Sequence, residues 1–148
     1  MEEMDFTGIT SENYGDEQWL PYYDRIGWAA FYDPDTGQIN WSLRLTLAEI
    51  VINHENAGGK PFIGVASEPD PDLQMVSDGA LVDRPTLPVV QTGNILSGVP
   101  IGADVYVNDE FHIAESSEMA LDVPPGDSVR VIIFHWPFRQ AEFTYASD

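Results

Sequence analysis

Acidic side chains next to prolines are the first residues here whose type and spacing could do chemistry. Asp33-Pro34-Asp35 and the Glu-Pro-Asp-Pro-Asp run at 68–72 offer carboxylates, and Ca²⁺ takes about six to eight such oxygen ligands. Neither segment has the spacing or the central glycine of an EF-hand loop. Acids beside prolines are typical of solvated turns. We therefore predict no metal site.

The residues that commonly carry catalysis are present but not in catalytic patterns. His54, His112 and His135 are too widely spaced to share a site on one helix or strand pair. There is no G-x-S-x-G element. Gly58-Gly59-Lys60 follows a predicted helix, whereas a phosphate loop precedes one. Without cysteine there is no thiolate zinc site or cysteine nucleophile. We predict no catalytic residues, no cofactor and no enzymatic activity.

Aromatic residues are the strongest functional signal in the sequence. The chain has four Trp, six Tyr and seven Phe in 148 residues, more than a small core needs. Such side chains dominate protein interfaces, and they also form the platforms on which sugar rings stack. Trp28 and Trp41 fit core positions in predicted strands. We predict that four others bind a protein partner: Trp19, Tyr22, Tyr23 and Trp136.

Net charge and hydropathy argue against two classes of partner. Six Lys and Arg against 25 Asp and Glu give a net charge of −19, which repels nucleic-acid phosphates and anionic lipid. No apolar run reaches the roughly 18 to 20 residues that span a bilayer. The acidic start at residues 1–5 also lacks the positive region of a signal peptide. We expect no nucleic-acid partner and no membrane insertion.

The predicted organisation has three parts, beginning with residues 1–24. This stretch holds seven acids and no Lys or Arg, and its apolar residues follow neither a strand nor a helix period. We predict an extended acidic and aromatic arm. Its aromatic content implies that it packs either on its own chain or on a neighbouring subunit.

Residues 25–84 are predicted to form a small unit of β-hairpins and one helix. Asp33–Gly37 has the residues of a hairpin turn, and Asp78-Gly79 forms a second turn. Thr46 and Glu49 have the spacing of a capping box, which predicts a helix over residues 47–56. The run at 61–66 is apolar and suits a further strand.

Residues 85–148 are predicted to form an immunoglobulin-like antiparallel β-sandwich, because short alternating segments recur there at sandwich spacing. Asn108-Asp109 is expected to turn the chain between two strands. Residues 129–134, apart from Arg130, are apolar on both alternating faces, which predicts a central strand covered on both sides. The loops at 98–102 and 124–127 are expected to be contact points. The fold class is therefore mostly β, with an α+β N-terminal part.

Three turn segments in a fixed order resemble a group of small tail proteins of tailed bacteriophages. They are residues 31–39 (FYDPDTGQI), 76–85 (VSDGALVDRP) and 96–102 (LSGVPIG). In that group a YDP-x-TG-x-I hairpin precedes a V-x-DG-x-LV-x-RP hairpin, and a C-terminal β domain carries a pattern like residues 131–143. The resemblance covers about residues 26–145, so the predicted arm has no counterpart in it.

The resemblance implies a virion structural protein in the tail, fibre or baseplate region, made in the host cytoplasm. Its partners would be other tail proteins or further copies of itself. The alternative is a carbohydrate- or receptor-binding module at the virion surface that contacts host glycans. Two weaker alternatives are a hydrolase acting on the cell wall and an acidic decoy for a host DNA-binding protein. The resemblance supplies no catalytic residues.

Overall fold

The computed structural model describes residues 3–147 as two compact units. Residues 1, 2 and 148, which belong to the predicted arm and the predicted sandwich, lie outside the described residues. The first unit is Met1–Asp83 and the second is Arg84–Asp148. The fold is mostly β, with 41% of residues in strands and 11% in helices, as the strand alternation predicted.

The first unit is built on a three-stranded antiparallel sheet of β1 (Ile26–Tyr32), β2 (Ile39–Thr46) and β3 (Phe62–Val65), in the order β2-β1-β3. The β1–β2 turn closes with a hydrogen bond from Gly37 N to Asp33 O at 2.7 Å, and Gly37 has φ of 82°. A register shift beside Tyr32 moves Ile39 to the face opposite Trp41.

One face of this sheet is covered by α1 (Leu47–Asn56). Thr46 Oγ1 accepts from Glu49 N, and the Glu49 carboxylate accepts from Thr46, so the predicted capping box and helix are confirmed. Leu47 and Ile50 are buried against Phe31 and Phe62. These two helix residues therefore form part of the core on this side of the sheet.

Residues 3–24, predicted to form an extended arm that packs on its own chain or on a neighbouring subunit, pack on the core of the first unit. Phe6 and Ile9 are each 1% exposed and lie in the same core as the helix, and Glu17–Tyr22 is a 3₁₀ helix. The physical reason is a gap on the sheet surface above Gly27 and Gly64, which we call the slot. Gly27 and Gly64 have no side chains, so Phe6 packs directly on the strands. The segment packs on its own chain.

The other face of the sheet is covered by a hairpin of β4 (Gln74–Ser77) and β5 (Ala80–Asp83). Its turn is Asp78-Gly79, with φ of 52° and 75°, as the Asp-Gly pair predicted. Val76 of the hairpin packs with Ala30 and Ile63 of the sheet. The first unit therefore has a hydrophobic core on each face of its central sheet.

The second unit is a sandwich of two antiparallel sheets. Three strands form one sheet in the order β10-β7-β6: β6 (Val90–Thr92), β7 (Ile95–Ser97) and β10 (Glu118–Ala120). Four form the other in the order β12-β11-β8-β9: β8 (Asp104–Val107), β9 (Glu110–Ile113), β11 (Ser128–Phe134) and β12 (Ala141–Ala146). This is an immunoglobulin-type strand order. In the letters used for that fold, β6, β7 and β10 correspond to strands A, B and E, and β8, β9, β11 and β12 correspond to strands C, C′, F and G. The core lies between the sheets, with Leu96 and Leu121 against Val105, Val131 and Ile133.

The β6–β7 hairpin was missed by the sequence reading. Its loop is Gly93-Asn94, two residues long, and Gly93 has φ of 61°. A Gly-Asn pair between apolar residues is a hairpin signal, but three-residue strands show too little alternation to support it. The Asn108-Asp109 turn between β8 and β9 was predicted, and both residues adopt positive φ.

The prediction for β11 is half right. It is a central strand, between β12 and β8. Val131 and Ile133 are buried in the core, as expected. The alternate face is not covered in the described part of the chain, because Phe134 is exposed and Ile132 is half-buried. An apolar face therefore meets solvent.

Candidate interaction surface

Trp19, Tyr22 and Tyr23, predicted from sequence to bind a partner, lie together in the first unit. The 3₁₀ helix brings the Trp19 and Tyr22 ring centroids to 6.2 Å. All three side chains are half-buried and pack against the core that contains Phe6 and Ile9. Much of their apolar area is thus already used within the chain.

Hydrogen bonding ties the same group to its own unit. The Tyr23 hydroxyl donates to Tyr14 O at 2.7 Å, and burial, followed by the nearby Tyr14, raises the pKa of Tyr23. Trp19 Nε1 is buried with no hydrogen-bond partner among the described residues. A side chain aimed at a partner would present its polar atom outward. Part of each side chain is therefore packed against the core of its own unit.

Trp136, the fourth predicted binding residue, is engaged by an arginine of its own unit. The Arg84 guanidinium carbon lies 4.7 Å from the centroid of the Trp136 ring. Arg84 Nε donates to Pro137 O at 3.1 Å, and Nη2 donates to Phe138 O. This set, which we call the Arg84 clamp, fixes the β11–β12 connection to the start of the unit.

Arg139 completes the Arg84 clamp from the other side. Its backbone N donates to Pro85 O at 2.8 Å, and its Nε donates to Arg84 O at 2.9 Å. Residues 84–85 therefore contact residues 136–139, and both stretches belong to the segments that resemble phage tail proteins. The half-buried Trp136 ring serves this structural contact.

The exposed face of the four-stranded sheet is the surface that sequence reasoning missed. Directly paired residues on neighbouring strands share a face. Ile132, Tyr106 and Phe111 are aligned across three strands, and so are Phe134, Asp104 and Ile113. The apolar members, which we call the outer face, are Tyr106, Phe111, Ile113, Ile132 and Phe134.

Three rings of the outer face contact one another. Tyr106 lies 5.4 Å from Phe111 and 5.9 Å from Phe134 between ring centroids, at interplanar angles of 56° and 86°. Phe111 remains 50% exposed and Phe134 39% exposed. Isolated exposed apolar residues are ordinary, whereas these three rings form one contiguous exposed group.

Charged residues lie on the same sheet face as the outer face, because Glu142 pairs directly with Ile132 and Arg130 is two residues before Ile132 on β11. Arg130 holds Glu142 in a two-bonded pair, with Nε to Oε1 at 2.6 Å and Nη2 to Oε2 at 3.2 Å. These bonds hold the pKa of Glu142 below its usual value and raise the pKa of Arg130, to which Asp109 also contributes. Asp104 lies on the face itself. Three carboxylates therefore accompany one guanidinium.

The two acidic turns and His54 form local hydrogen bonds. Asp33 Oδ1 accepts from Asp35 N at 2.8 Å, and Asp70 Oδ1 accepts from Asp72 N at 3.0 Å, as in ordinary turns. His54 Nδ1 lies 2.7 Å from Lys60 O. Among residues 3–147, no group of three or more His, Cys, Asp or Glu is arranged to hold a metal ion.

Comparisons with known proteins give little further information. No protein-family model matches the chain, and no curated protein matches it. Among solved structures, Tp47, the 47-kilodalton lipoprotein of Treponema pallidum, is similar over 83% of this chain and 40% of that protein, at 12% identity and a TM-score of 0.29. So low a TM-score supports no inference. Across the described residues, no helix is both long and apolar enough to span a membrane.

Proposed function

We propose that this chain is a non-enzymatic structural protein of a tailed-phage virion, in the tail, fibre or baseplate region, and that it acts through protein–protein contacts. It would be made in the host cytoplasm and incorporated during assembly. Its partners would be neighbouring tail proteins, with self-association as a further possibility to be tested.

The observation that carries this proposal is the outer face of the second unit. A face with three touching aromatic rings, two of them at least 39% exposed, is costly to leave in water. Interface centres are enriched in aromatic residues and depleted in charge. A docking role accounts for this arrangement.

The sequence resemblance supplies the virion context. Two of the segments that resemble phage tail proteins, those ending in Arg84-Pro85 and spanning Trp136 to Arg139, contact each other in the Arg84 clamp. These contacts make the two segments parts of one folded unit.

Mass spectrometry of gradient-purified particles tests the proposal. The expected result is that the chain is present in particles at a stoichiometry reproducible between preparations and resists washing in high salt. Particles that contain no peptide of this chain, although the infected cells do, would rule out a virion role.

The second candidate is a carbohydrate- or receptor-binding module at the virion surface. Exposed Trp41 and Tyr106 favour it, since such rings stack on sugars. The Trp41 ring, however, is stacked on Phe31 at 5.2 Å and has Lys60 Nζ at 5.4 Å. A glycan array probed with the purified chain decides: binding that Trp41→Ala or Tyr106→Ala removes supports this candidate, and no binding excludes it.

A further inference from the structure

We infer that the outer face docks on a different protein, whose matching surface has an apolar centre and a rim of Lys and Arg. The inference rests on the proposed function, because it names the partner chemistry of the same protein–protein contact. It goes further in excluding both a second copy of this chain and a glycan as the occupant of this face.

The first argument is the pattern of β11. Strands that alternate apolar and polar residues have one covered face, whereas strands apolar on both faces are covered on both. β11 has Val131 and Ile133 in the core, while Arg130, Ile132 and Phe134 alternate onto the opposite face, so two of these three positions are apolar. The two apolar positions suit a second covering layer, yet Phe134 is exposed.

The second argument separates protein from glycan. A sugar stacks on the flat face of one ring, and Trp and Tyr serve this best because each also has a polar atom. Here two of the three rings are Phe, and they meet Tyr106 at 56° and 86°. Ring edges and aliphatic atoms of Ile113 and Ile132 form an uneven apolar surface. Such a surface fits interdigitating protein side chains.

The third argument is charge. The outer face is accompanied by Asp104, Asp109 and Glu142 against Arg130, whose guanidinium is already bound to Glu142. Two copies docked through this face would bring like charges together on chains that each carry −19. Like charges across an interface disfavour that pairing, and opposite charges favour it. The partner is therefore basic where this chain is acidic.

The outer face alone is too small to form a stable complex, so the charged residues around it must also contact the partner. Four strands about 4.8 Å apart, each about four residues long, give a flat area of roughly 200 Å². A stable complex buries about 800 Å² on each partner. The contact must extend past the apolar centre to the surrounding carboxylates, so the partner's groups opposite them must be positive.

Site-specific photo-cross-linking tests the inference. The full-length chain is made in the cells that carry its gene, with p-benzoylphenylalanine replacing Phe111 or Phe134. The matched control replaces Val90, which is 60% exposed on the three-stranded sheet of the same unit. Clarified lysate at low and at high salt is irradiated, and cross-linked peptides are identified by mass spectrometry.

We expect positions 111 and 134 to cross-link one protein other than this chain, with Lys or Arg flanking the cross-linked peptide, and at least about tenfold more than position 90. We expect the yield to fall several-fold between about 50 mM and 500 mM NaCl, because rim charges are screened. Cross-links to a second copy, a yield no higher than at position 90, or a salt-independent yield would each overturn the inference.

Charge reversal provides a second readout that does not depend on apolar residues. Asp104→Lys on the outer face should lower the cross-linking yield from position 111 about tenfold, whereas Glu118→Lys on β10 makes the same charge change off this face and should leave it unaltered. Equal effects of the two variants would overturn the charge argument.

The same experiment distinguishes this inference from the proposed function. If the cross-linked protein is a virion component, both stand. If this chain is absent from particles while positions 111 and 134 cross-link one other protein at a peptide flanked by Lys or Arg, the proposed function fails and the inference stands. If this chain is in particles but positions 111 and 134 cross-link no other protein, the inference fails and the proposed function stands.

Discussion

The two units use their aromatic residues in opposite ways. In the first unit Phe6 is fully buried, and Trp19, Tyr22 and Tyr23 pack around the same core. In the second unit Tyr106, Phe111 and Phe134 contact one another on a sheet face that meets solvent. Aromatic content alone therefore does not locate an interaction surface. Whether another layer of the chain covers the aromatic side chains distinguishes the two cases.

The difference arises from what lies above each sheet. The first unit's sheet has the helix and residues 3–24 on one face and the β4–β5 hairpin on the other. The second unit's four-stranded sheet packs on one face against the three-stranded sheet. Its other face carries the outer face together with Asp104, Arg130 and Glu142, and its aromatic rings are exposed.

The largest expected effect contrasts two phenylalanines. Phe6→Ala should lower the free energy of unfolding by about 3–5 kcal/mol, because it leaves a cavity in a closed core. Phe111→Ala should change it by less than about 1 kcal/mol, because the ring is half exposed. Denaturant unfolding of both variants checks this. Equal losses would mean that the two rings are equally buried in solution.

The next effect tests the slot that holds residues 3–14. A Cβ at Gly64 would lie 2.0 Å from Phe6 O, so Gly64→Ala should displace the segment and cost about 3 kcal/mol. The matched control is Gly15→Ala, where a Cβ has no neighbour within 4 Å and stability should hold or rise slightly. Proteolysis of residues 3–14 in the Gly64 variant alone would agree. A fully stable Gly64→Ala protein would disprove the slot.

A smaller effect is expected at the Arg84 clamp. Arg84→Lys keeps the charge but loses the planar fork that reaches Pro137 O and Phe138 O and stacks on Trp136. The loss should be about 1–3 kcal/mol in the second unit. Fluorescence of Trp136 during urea unfolding, in a variant with the other three tryptophans replaced by Phe, gives the measurement. A lysine variant as stable as the parent would show that the clamp is dispensable.

The smallest effect is a pH dependence at Glu142. Its pKa is lowered in the folded chain by hydrogen bonds from Arg130. The stabilisation is therefore complete above the ordinary glutamate pKa of about 4.3 and is lost as pH falls through the lower folded value. Unfolding of the parent and Glu142→Gln should differ near neutral pH and converge in acid. A difference that grows on acidification would have the wrong sign.

Local chemistry in the sequence was enough to predict much of the fold. The Asp-Gly and Asn-Asp turns and the Thr46–Glu49 capping box act within a few residues of themselves. Their hairpins and helix therefore followed from sequence. The β6–β7 hairpin did not, because strands of three residues carry too little alternation.

Contacts between residues far apart in the sequence could not be predicted from local sequence patterns. Phe6 is buried because Gly27 and Gly64, far along the chain, leave room for it; nothing near Phe6 signals this. For the outer face, alternation correctly grouped Ile132 with Phe134, but a pattern does not tell which layer covers a face. Trp19, Tyr22, Tyr23 and Trp136 were chosen for their type, and the structure gives each a partner within its own unit.

Particle incorporation of an outer-face variant tests the central claim most directly. The double variant Phe111→Asp, Phe134→Asp and the control Val90→Asp replace exposed residues of the same unit, and circular dichroism confirms folding of each. Mass spectrometry of purified particles should find the parent chain and Val90→Asp at equal levels and the double variant depleted at least about tenfold. A folded double variant at the parent's level would contradict the claim that this face attaches the protein.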